Sequence, residues 1–221
     1  MSGLLYRWPA AAEFGARVPK EKFYERGTVP ASVREKFVTE IRRITWAYKL
    51  AESTVNLPGS DAVPEIQVFQ IEAKGADVSD PVLTAIDKAI SFPIVFEITR
   101  RHGEAEQIRM VAAYKQPGTG TPKLSANCST GWLPHDTDRR PLPTAISMAA
   151  LYTALLRPLT QVAVLPGEDM SVIADRLQKA HVLEREITAL ERKLRTEPQL
   201  NRKIELRRTL KTKQAELDSL R

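Results

Sequence analysis

The most regular pattern of apolar and polar positions lies in residues 65–75, EIQVFQIEAKG. From Phe69 onwards, apolar side chains alternate with the polar side chains of Gln70, Glu72 and Lys74. Successive side chains of a β-strand point to opposite faces of its sheet, so this period of two predicts a strand. One face of that strand is expected to be buried, and the other is expected to carry the three polar side chains.

Further elements follow downstream at short intervals. Residues 81–91 have apolar side chains at helical spacing behind Asp80, which suits a helix N-cap, and they predict a short helix. Residues 93–101 and 106–115 predict two strands, and the glycine turn between them makes a β-hairpin. Residues 123–133 predict a fourth strand. The expected fold is therefore α+β, with a four-stranded, mostly antiparallel sheet in the order β-α-β-β-β and packed helices.

Helical spacing is also present on either side of this predicted sheet. Ser32 can cap a helix that ends near Ala51, and Glu35 can complete a capping box. Its apolar stripe is formed by Val33, Phe37, Ile41, Ile44 and Tyr48. Residues 144–159 predict a second apolar helix, long enough to lie across a sheet face. Residues 1–30 have no clean period and are interpreted as an irregular N-terminal arm.

The pattern changes beyond residue 165, where side chains recur at alternating steps of three and four residues if Arg176 and Lys213 each fill one otherwise apolar position. The recurring positions are Ile173, Ala180, Leu183, Ile187, Leu190, Leu194, Leu206, Leu210, Leu217 and Leu220. Thr196 can cap a new helix, and Pro198 suits a first helical turn but not a helix interior. The pattern predicts an antiparallel coiled-coil hairpin over residues 166–221, behind a globular body of residues 31–160. One long helix that pairs with another subunit is the alternative.

Composition is that of an ordinary globular protein, with 43% hydrophobic and 27% charged residues. No segment approaches the run of about 20 apolar residues that a membrane helix needs. The N-terminal apolar stretch is interrupted early by Arg7 and Pro9, which is not the pattern of a signal peptide. Cys128 is the single cysteine, so an intramolecular disulfide and a multi-cysteine zinc site are excluded. We expect a cytoplasmic protein.

The net charge of +6 is concentrated near the C-terminus. Residues 193–213 contain eight cationic and two acidic side chains, an excess equal to that of the whole chain. Such a concentration can attract the phosphates of nucleic acid, although a solvated helix face is the alternative. The residues expected to face outward and contact a DNA backbone are Arg202, Lys203, Arg207, Arg208, Lys211 and Lys213.

Glu72 and Lys74, two residues apart on a strand, form half of the signature of many metal-dependent nucleases. Such an enzyme needs a second carboxylate on a shared magnesium ion, and Glu97 or Asp61 is the candidate. The same spacing also suits the polar face of a sheet for structural reasons alone. The histidines are dispersed along the chain and predict no other metal site. A chain without a cofactor is therefore the first expectation, and a magnesium-dependent nuclease is the alternative.

Several sequence blocks resemble those of a bacterial family that is catalogued only as a domain of unknown function. They are RVPKEKFYE, EIQVFQIEAK, AIDKAISFPIVFEI, the pairing of AYK with a later STGW, and TEPQLNRKIELRRTLK. The resemblance runs from about residue 17 to the end of the chain. It implies genes that sit beside those of helicase-type ATPases and site-specific DNA methyltransferases, as in restriction-modification or phage-defence islands.

These observations together predict a non-enzymatic accessory subunit of a bacterial DNA-modification or phage-defence system. Its partner is expected to be a helicase-type ATPase or a DNA methyltransferase subunit, or a second copy joined through the C-terminal helices. A module that binds DNA alone and without sequence preference is a further possibility. No membrane partner is expected.

Overall fold

The computed structural model describes residues 5–24, 29–116, 123–160, 162–163 and 168–221. The chain divides into two compact units, Met1–Leu159 and Thr160–Arg221, and each is described by itself below. The glycine-containing loop at 117–122 and the first two residues of the predicted hairpin lie outside the described residues. No helix within the described ranges combines the length and the apolar character needed to cross a membrane.

The first unit contains strands and short helices in a mixed order. Its strands are β1 Leu5–Tyr6, β2 Glu13–Arg17, β3 Ile41–Ala51, β4 Glu65–Ala73, β5 Ile94–His102, β6 Ala105–Ala112, β7 Lys115–Gln116, β8 Lys123–Leu124, β9 Cys128–Ser129, β10 Leu133–Pro134 and β11 Arg139–Arg140. Its α-helices are α1 Glu21–Tyr24, α2 Ala31–Glu40, α3 Glu52–Val55, α4 Asp80–Ala89 and α5 Met148–Leu156. Single 3₁₀ turns lie at Ala10–Ala12 and Arg157–Leu159.

The central sheet has the strand order β10-β6-β5-β4-β3-β2, and β9 also pairs with β6. Strands β4 and β5 run parallel, and every other neighbouring pair in this sheet is antiparallel. Parallel neighbours need a crossover connection, which α4 supplies here. The α+β class is confirmed, but the prediction of four mostly antiparallel strands is wrong because the sheet is mixed and seven-stranded.

Part of the predicted order is present as β4-α4-β5-β6, with boundaries close to those expected. The predicted fourth strand at residues 123–133 is wrong as a single element. It is divided into β8, which pairs with β7, and β9, which pairs with β6. The N-terminal segment also differs from the expected irregular arm. Within its described part, Leu5 and Tyr6 are buried in β1, and β2 forms an edge of the central sheet.

The predicted helix over residues 32–51 is correct only in its first half, because the chain changes from α2 to strand β3 at Ile41. The buried residues of β3 recur every third position, at Ile41, Ile44, Ala47 and Leu50. Its register against β4 shifts twice, between residues 41 and 43 and between residues 46 and 48. Each bulge adds one residue and reverses the strand alternation, so the apolar spacing imitates that of a helix.

The main core lies between the sheet and the helices α2 and α4. It includes Phe37 of α2, Leu83 of α4, and the sheet residues Phe69, Ile71 and Phe96, all at most 2% exposed. Each such side chain contributes about 1.5–3 kcal/mol by its removal from water. Pairing across the strands places the polar residues Gln70, Glu72 and Glu97 on the opposite face of the same sheet, and this face is the subject of the next section.

The second unit contains two helices, α6 Met170–Thr196 and α7 Leu200–Asp218. Ion pairs Lys179–Glu216, Glu186–Lys213 and Glu184–Arg221 join early α6 to late α7, so the helices run antiparallel. Ile173, Leu183, Ile187 and Leu217 are buried, whereas Leu190, Leu194, Leu206 and Leu210 are half-buried. Thr196 ends α6 and Gln199 precedes α7, so the break falls at the proline-containing segment.

Candidate functional site

Five polar residues share one face of the central sheet and are called the polar sheet face below: Arg43, Gln70, Glu72, Glu97 and Thr99. Gln70 lies directly opposite Glu97 on the parallel neighbour, and Glu72 lies opposite Thr99. On the other side of β4, Arg43 lies opposite Glu72. Residues that pair directly across strands point to the same face, so the structure places two of the candidate carboxylates, Glu72 and Glu97, on one face of the sheet.

The carboxylate of Glu97 is fully buried and is bound on both of its oxygens. The indole Nε1 of Trp8 donates a hydrogen bond to Oε1 at 2.8 Å, and Nε2 of Gln70 donates to Oε2 at 3.2 Å. Arg139 approaches with both terminal nitrogens, at 2.6 Å from Oε1 and 3.3 Å from Oε2. A buried charge is costly unless it is paired and hydrogen-bonded, and these contacts meet both conditions.

The segment that covers Glu97 is the described part of the N-terminal arm together with β11. Tyr6 and Trp8 have ring centroids 5.9 Å apart, and Trp8 lies 6.1 Å from Tyr48 of β3. Arg140 donates to the Tyr6 hydroxyl at 2.6 Å and stacks over its ring. Burial raises the pKa of Tyr6, while Arg140 opposes that rise. Burial, followed by the negative charge of Glu97, also raises the pKa of Tyr48.

Glu72 and Lys74 are each engaged by the first unit itself. Glu72 forms an ion pair with Arg43, and both side chains are at least one-third exposed. The amine of Lys74 donates to the carbonyl oxygen of Val38 at 2.6 Å. The strand that precedes β4 along the chain is β3, and the short helix α3 lies between them. However, the β3 residue opposite Glu72 is the cation Arg43, where a nuclease needs its second carboxylate.

The polar sheet face fits a magnesium ion poorly, because its carboxylates are already bound by other side chains of the protein. Mg²⁺ is bound through carboxylate oxygens in near-ideal octahedral geometry. Glu97 has both oxygens occupied by protein donors, and Glu72 is neutralised by Arg43. Asp61 is exposed in the segment between α3 and β4. In the part of the chain that the structure describes, no group of three or more His, Cys, Asp or Glu side chains could hold a metal ion.

A buried ion pair between Asp87 of α4 and Lys115 of β7 was not predicted from the sequence. Their side chains are 2% and 3% exposed, with 2.5 Å between Lys115 Nζ and Asp87 Oδ1. Lys115 Nζ also donates to the carbonyl oxygens of Asp87, Ile90 and Phe92 at 2.7–2.8 Å. Burial raises the pKa of Asp87 to about 6 against the opposing effect of Lys115, and burial lowers the pKa of Lys115.

Cys128 is buried, and burial raises the pKa of its thiol to about 12. A thiol is nucleophilic as its thiolate, so this environment disfavours a reactive cysteine. Cys128 lies in β9 and is a small buried residue of the sheet.

The second candidate site is the part of the second unit nearest the break between its helices. Residues 188–211, called the basic helix end below, contain eight cationic and three acidic side chains. The remaining residues 168–187 and 212–221, called the helix base, contain five cationic and seven acidic ones. The basic helix end therefore carries an excess of positive charge, and the helix base carries an excess of negative charge.

The predicted DNA-binding residues differ in exposure and pairing. Arg202, Arg207, Arg208 and Lys211 are exposed, and Lys203 is half-buried. The described residues provide no ion pair for these five. Lys213 differs, because it lies in the helix base and its amine is 2.5 Å from Glu186. Five of the six predicted cations are thus available to an external anion.

A family model for Domain of unknown function (DUF4391) matches residues 7–217 of the chain. The chain belongs to this family. No curated protein matches the chain, and no solved structure matches it either. This family match confirms the predicted resemblance to a domain-of-unknown-function family. The description of the family names no activity.

Proposed function

We propose that the chain is a non-enzymatic accessory subunit of a DNA-modification or phage-defence system in the bacterial cytoplasm, and that it contacts DNA through the basic helix end. The observation that carries the proposal is the segregation of charge along α6 and α7. Cations that repel one another on a helix pair gain free energy when they meet phosphates and release the counterions condensed there.

Duplex DNA is the form of nucleic acid that this surface suits. Proteins that bind single strands without sequence preference combine cations with aromatic side chains on which the bases stack. Residues 168–221 contain no Phe, Trp or Tyr. Contacts to the phosphate backbone remain, and these position a protein on DNA without reading its sequence.

A protein partner is proposed for the apolar side chains that the two helices leave uncovered. Leu200 and Ile204 of α7 are 70% and 42% exposed, and the apolar seam of the basic helix end is only half-buried. Patches of this kind mark interaction surfaces. The partner proposed is a helicase-type ATPase or a DNA methyltransferase subunit, with self-association through the same helices as the other form of the proposal.

The test measures binding of a short duplex to the full chain over a range of salt concentrations. The variant Arg207→Gln/Arg208→Gln/Lys211→Gln removes three exposed cations from the basic helix end. We expect weaker binding and a salt slope reduced by about 2.7, since each neutralised phosphate contributes about 0.9. The control Lys179→Gln/Lys213→Gln/Arg221→Gln makes the same change in net charge at the ion-paired helix base.

The control is expected to bind with a nearly unchanged slope. Equal losses in the two variants would show that only net charge matters, and the absence of duplex binding by the wild type would remove the proposal. Co-purification with the tagged chain, with and without residues 166–221, tests the protein partner.

One observation favours a rival, a magnesium-dependent nuclease: Glu72 and Glu97 share the polar sheet face. This enzyme would require Glu72 to leave Arg43 when the ion binds. It predicts magnesium-dependent nicking of plasmid DNA by the wild type that is lost in Glu72→Ala. Wild-type protein without nicking activity favours the accessory role.

A further inference from the structure

Three cations from separate segments of the first unit converge where α2 passes into β3. Lys20 donates from its amine to the carbonyl oxygen of Ile41, and Lys74 donates to that of Val38. Arg17 ends the edge strand β2 just before Lys20. Lys74 and Arg17 both lie close enough to lower the pKa of Lys20, after burial as the largest cause. We call Arg17, Lys20 and Lys74 the junction cluster.

The carboxylates around the junction cluster do not balance it. Glu72, two residues before Lys74, is paired with Arg43. Glu40 accepts a hydrogen bond from the backbone N–H of Ser79 at 2.8 Å. Glu21 is the one acid that raises the pKa of Lys20, and its exposed carboxylate is opposed there by Lys74 and Arg17. The junction therefore keeps an excess of positive charge.

Helix capping explains part of this arrangement but not all of it. The C-terminal carbonyls of a helix attract lysine amines, and α2 ends at Glu40 between the two carbonyls that these lysines bind. An ammonium group has three N–H donors, so each lysine keeps two after its contact with a carbonyl. Arg17 and Lys74 are exposed, and a Cβ added at the neighbouring Gly75 would meet no atom within 4 Å. The cluster is therefore open to a solute.

We propose that the junction cluster is a binding site for a phosphate-type oxyanion, held by Arg17 and by the remaining N–H donors of Lys20 and Lys74. A phosphate offers several acceptor oxygens to charge-assisted hydrogen bonds, and Arg and Lys are its usual ligands. This site gives Lys74 a role outside nuclease chemistry. It lies in the first unit, independent of the basic helix end.

The test is calorimetric titration of the full chain with inorganic phosphate, at constant ionic strength maintained with chloride. We expect wild-type binding that weakens at least tenfold in Lys20→Gln/Lys74→Gln. The control is Lys49→Gln, which removes one positive charge outside the junction cluster, since Lys49 already pairs with Glu65 at 2.8 Å. Binding is expected to persist in that variant. The variant Lys20→Arg/Lys74→Arg keeps both charges and their N–H donors, and it is expected to bind phosphate nearly as tightly as the wild type.

Wild-type protein that binds no phosphate, or a double Gln variant that binds as tightly as the wild type, overturns the proposal. The source of the phosphate is distinguished by competition with a short duplex. This competition uses the triple variant of the basic helix end. If the duplex displaces phosphate, the ligand of the junction cluster is a nucleic-acid backbone. If it does not, the ligand is a free phosphate or a phosphomonoester. Either result supports the site. The proposed function is tested by substitutions at other residues, those of the basic helix end. The two proposals can therefore fail separately.

Discussion

The sheet unit and the basic helix end differ in how their charged side chains are partnered. In the first unit, the buried carboxylates Glu97 and Asp87 are joined to Arg139 and Lys115. At the basic helix end, cations such as Arg207 and Arg208 are exposed, and the described residues give them no ion pair. These buried charges of the first unit are thus paired within the fold, whereas those at the helix end contribute little to it. The difference separates the buried, paired charges of the sheet unit from the exposed cations of the helix end, which are available for binding.

The largest effect is expected at the buried pair. Lys115→Met leaves the carboxylate of Asp87 buried without its cation and should lower the free energy of unfolding by about 3–5 kcal/mol. The measurement is urea denaturation at pH 7. Lys88→Met, at an exposed neighbour of Asp87 on α4, should change stability by less than about 0.5 kcal/mol. The double variant Asp87→Leu/Lys115→Met should recover most of the loss, and a double variant as unstable as Lys115→Met would contradict this account.

The same pair predicts a pH dependence. The folded-state pKa of Asp87 is about 6 and its ordinary value is 3.8, so the folded protein binds this proton more readily than the unfolded chain. The corresponding stability is present below about pH 4 and is lost as the pH rises through 6, at about 1.4 kcal/mol per unit. Denaturation of the wild type and Asp87→Asn across this range checks it. The stability difference between them should move in favour of Asp87→Asn with rising pH, and a constant difference would refute the shift.

A smaller effect separates the two glutamates of the polar sheet face. Glu97→Gln removes a buried charge from Arg139 and should cost about 1.5–3 kcal/mol. Glu72→Gln breaks an ion pair with Arg43 that is largely open to solvent and should cost about 0–1 kcal/mol. Both substitutions preserve shape, so urea denaturation of the two variants compares burial alone. Equal costs would mean that the arm over Glu97 admits water.

The elements that could be predicted from the sequence are those with local patterns. The alternation from Phe69 to Lys74 predicted β4, and the glycine turn predicted the β5–β6 hairpin. Strand β3 was missed because two bulges give it the apolar spacing of a helix. The mistake also removed one strand from the predicted sheet and left Glu72 without its true neighbour, Arg43.

The two candidate sites also differ in how much of each could be predicted from local sequence patterns. The excess of cations in residues 193–213 is a property of the sequence itself and required no fold. The partners of Glu97 could not be found by local reasoning, because Trp8 and Arg139 are 89 and 42 residues away along the chain. Asp87 occupies an ordinary helical position, and only the path of the chain after β6 brings Lys115 to it. Long-range pairing of this kind has no signal in a single sequence.

The length of α6 sets the distance between the helix base and the far side of the basic helix end. With 27 residues, the helix is about 40 Å long at 1.5 Å per residue. That length corresponds to about 12 base pairs of duplex at 3.4 Å each. A duplex bound at the basic helix end would therefore lie up to about 40 Å from the start of α6. In that arrangement the helix pair would hold the duplex away from the acidic helix base.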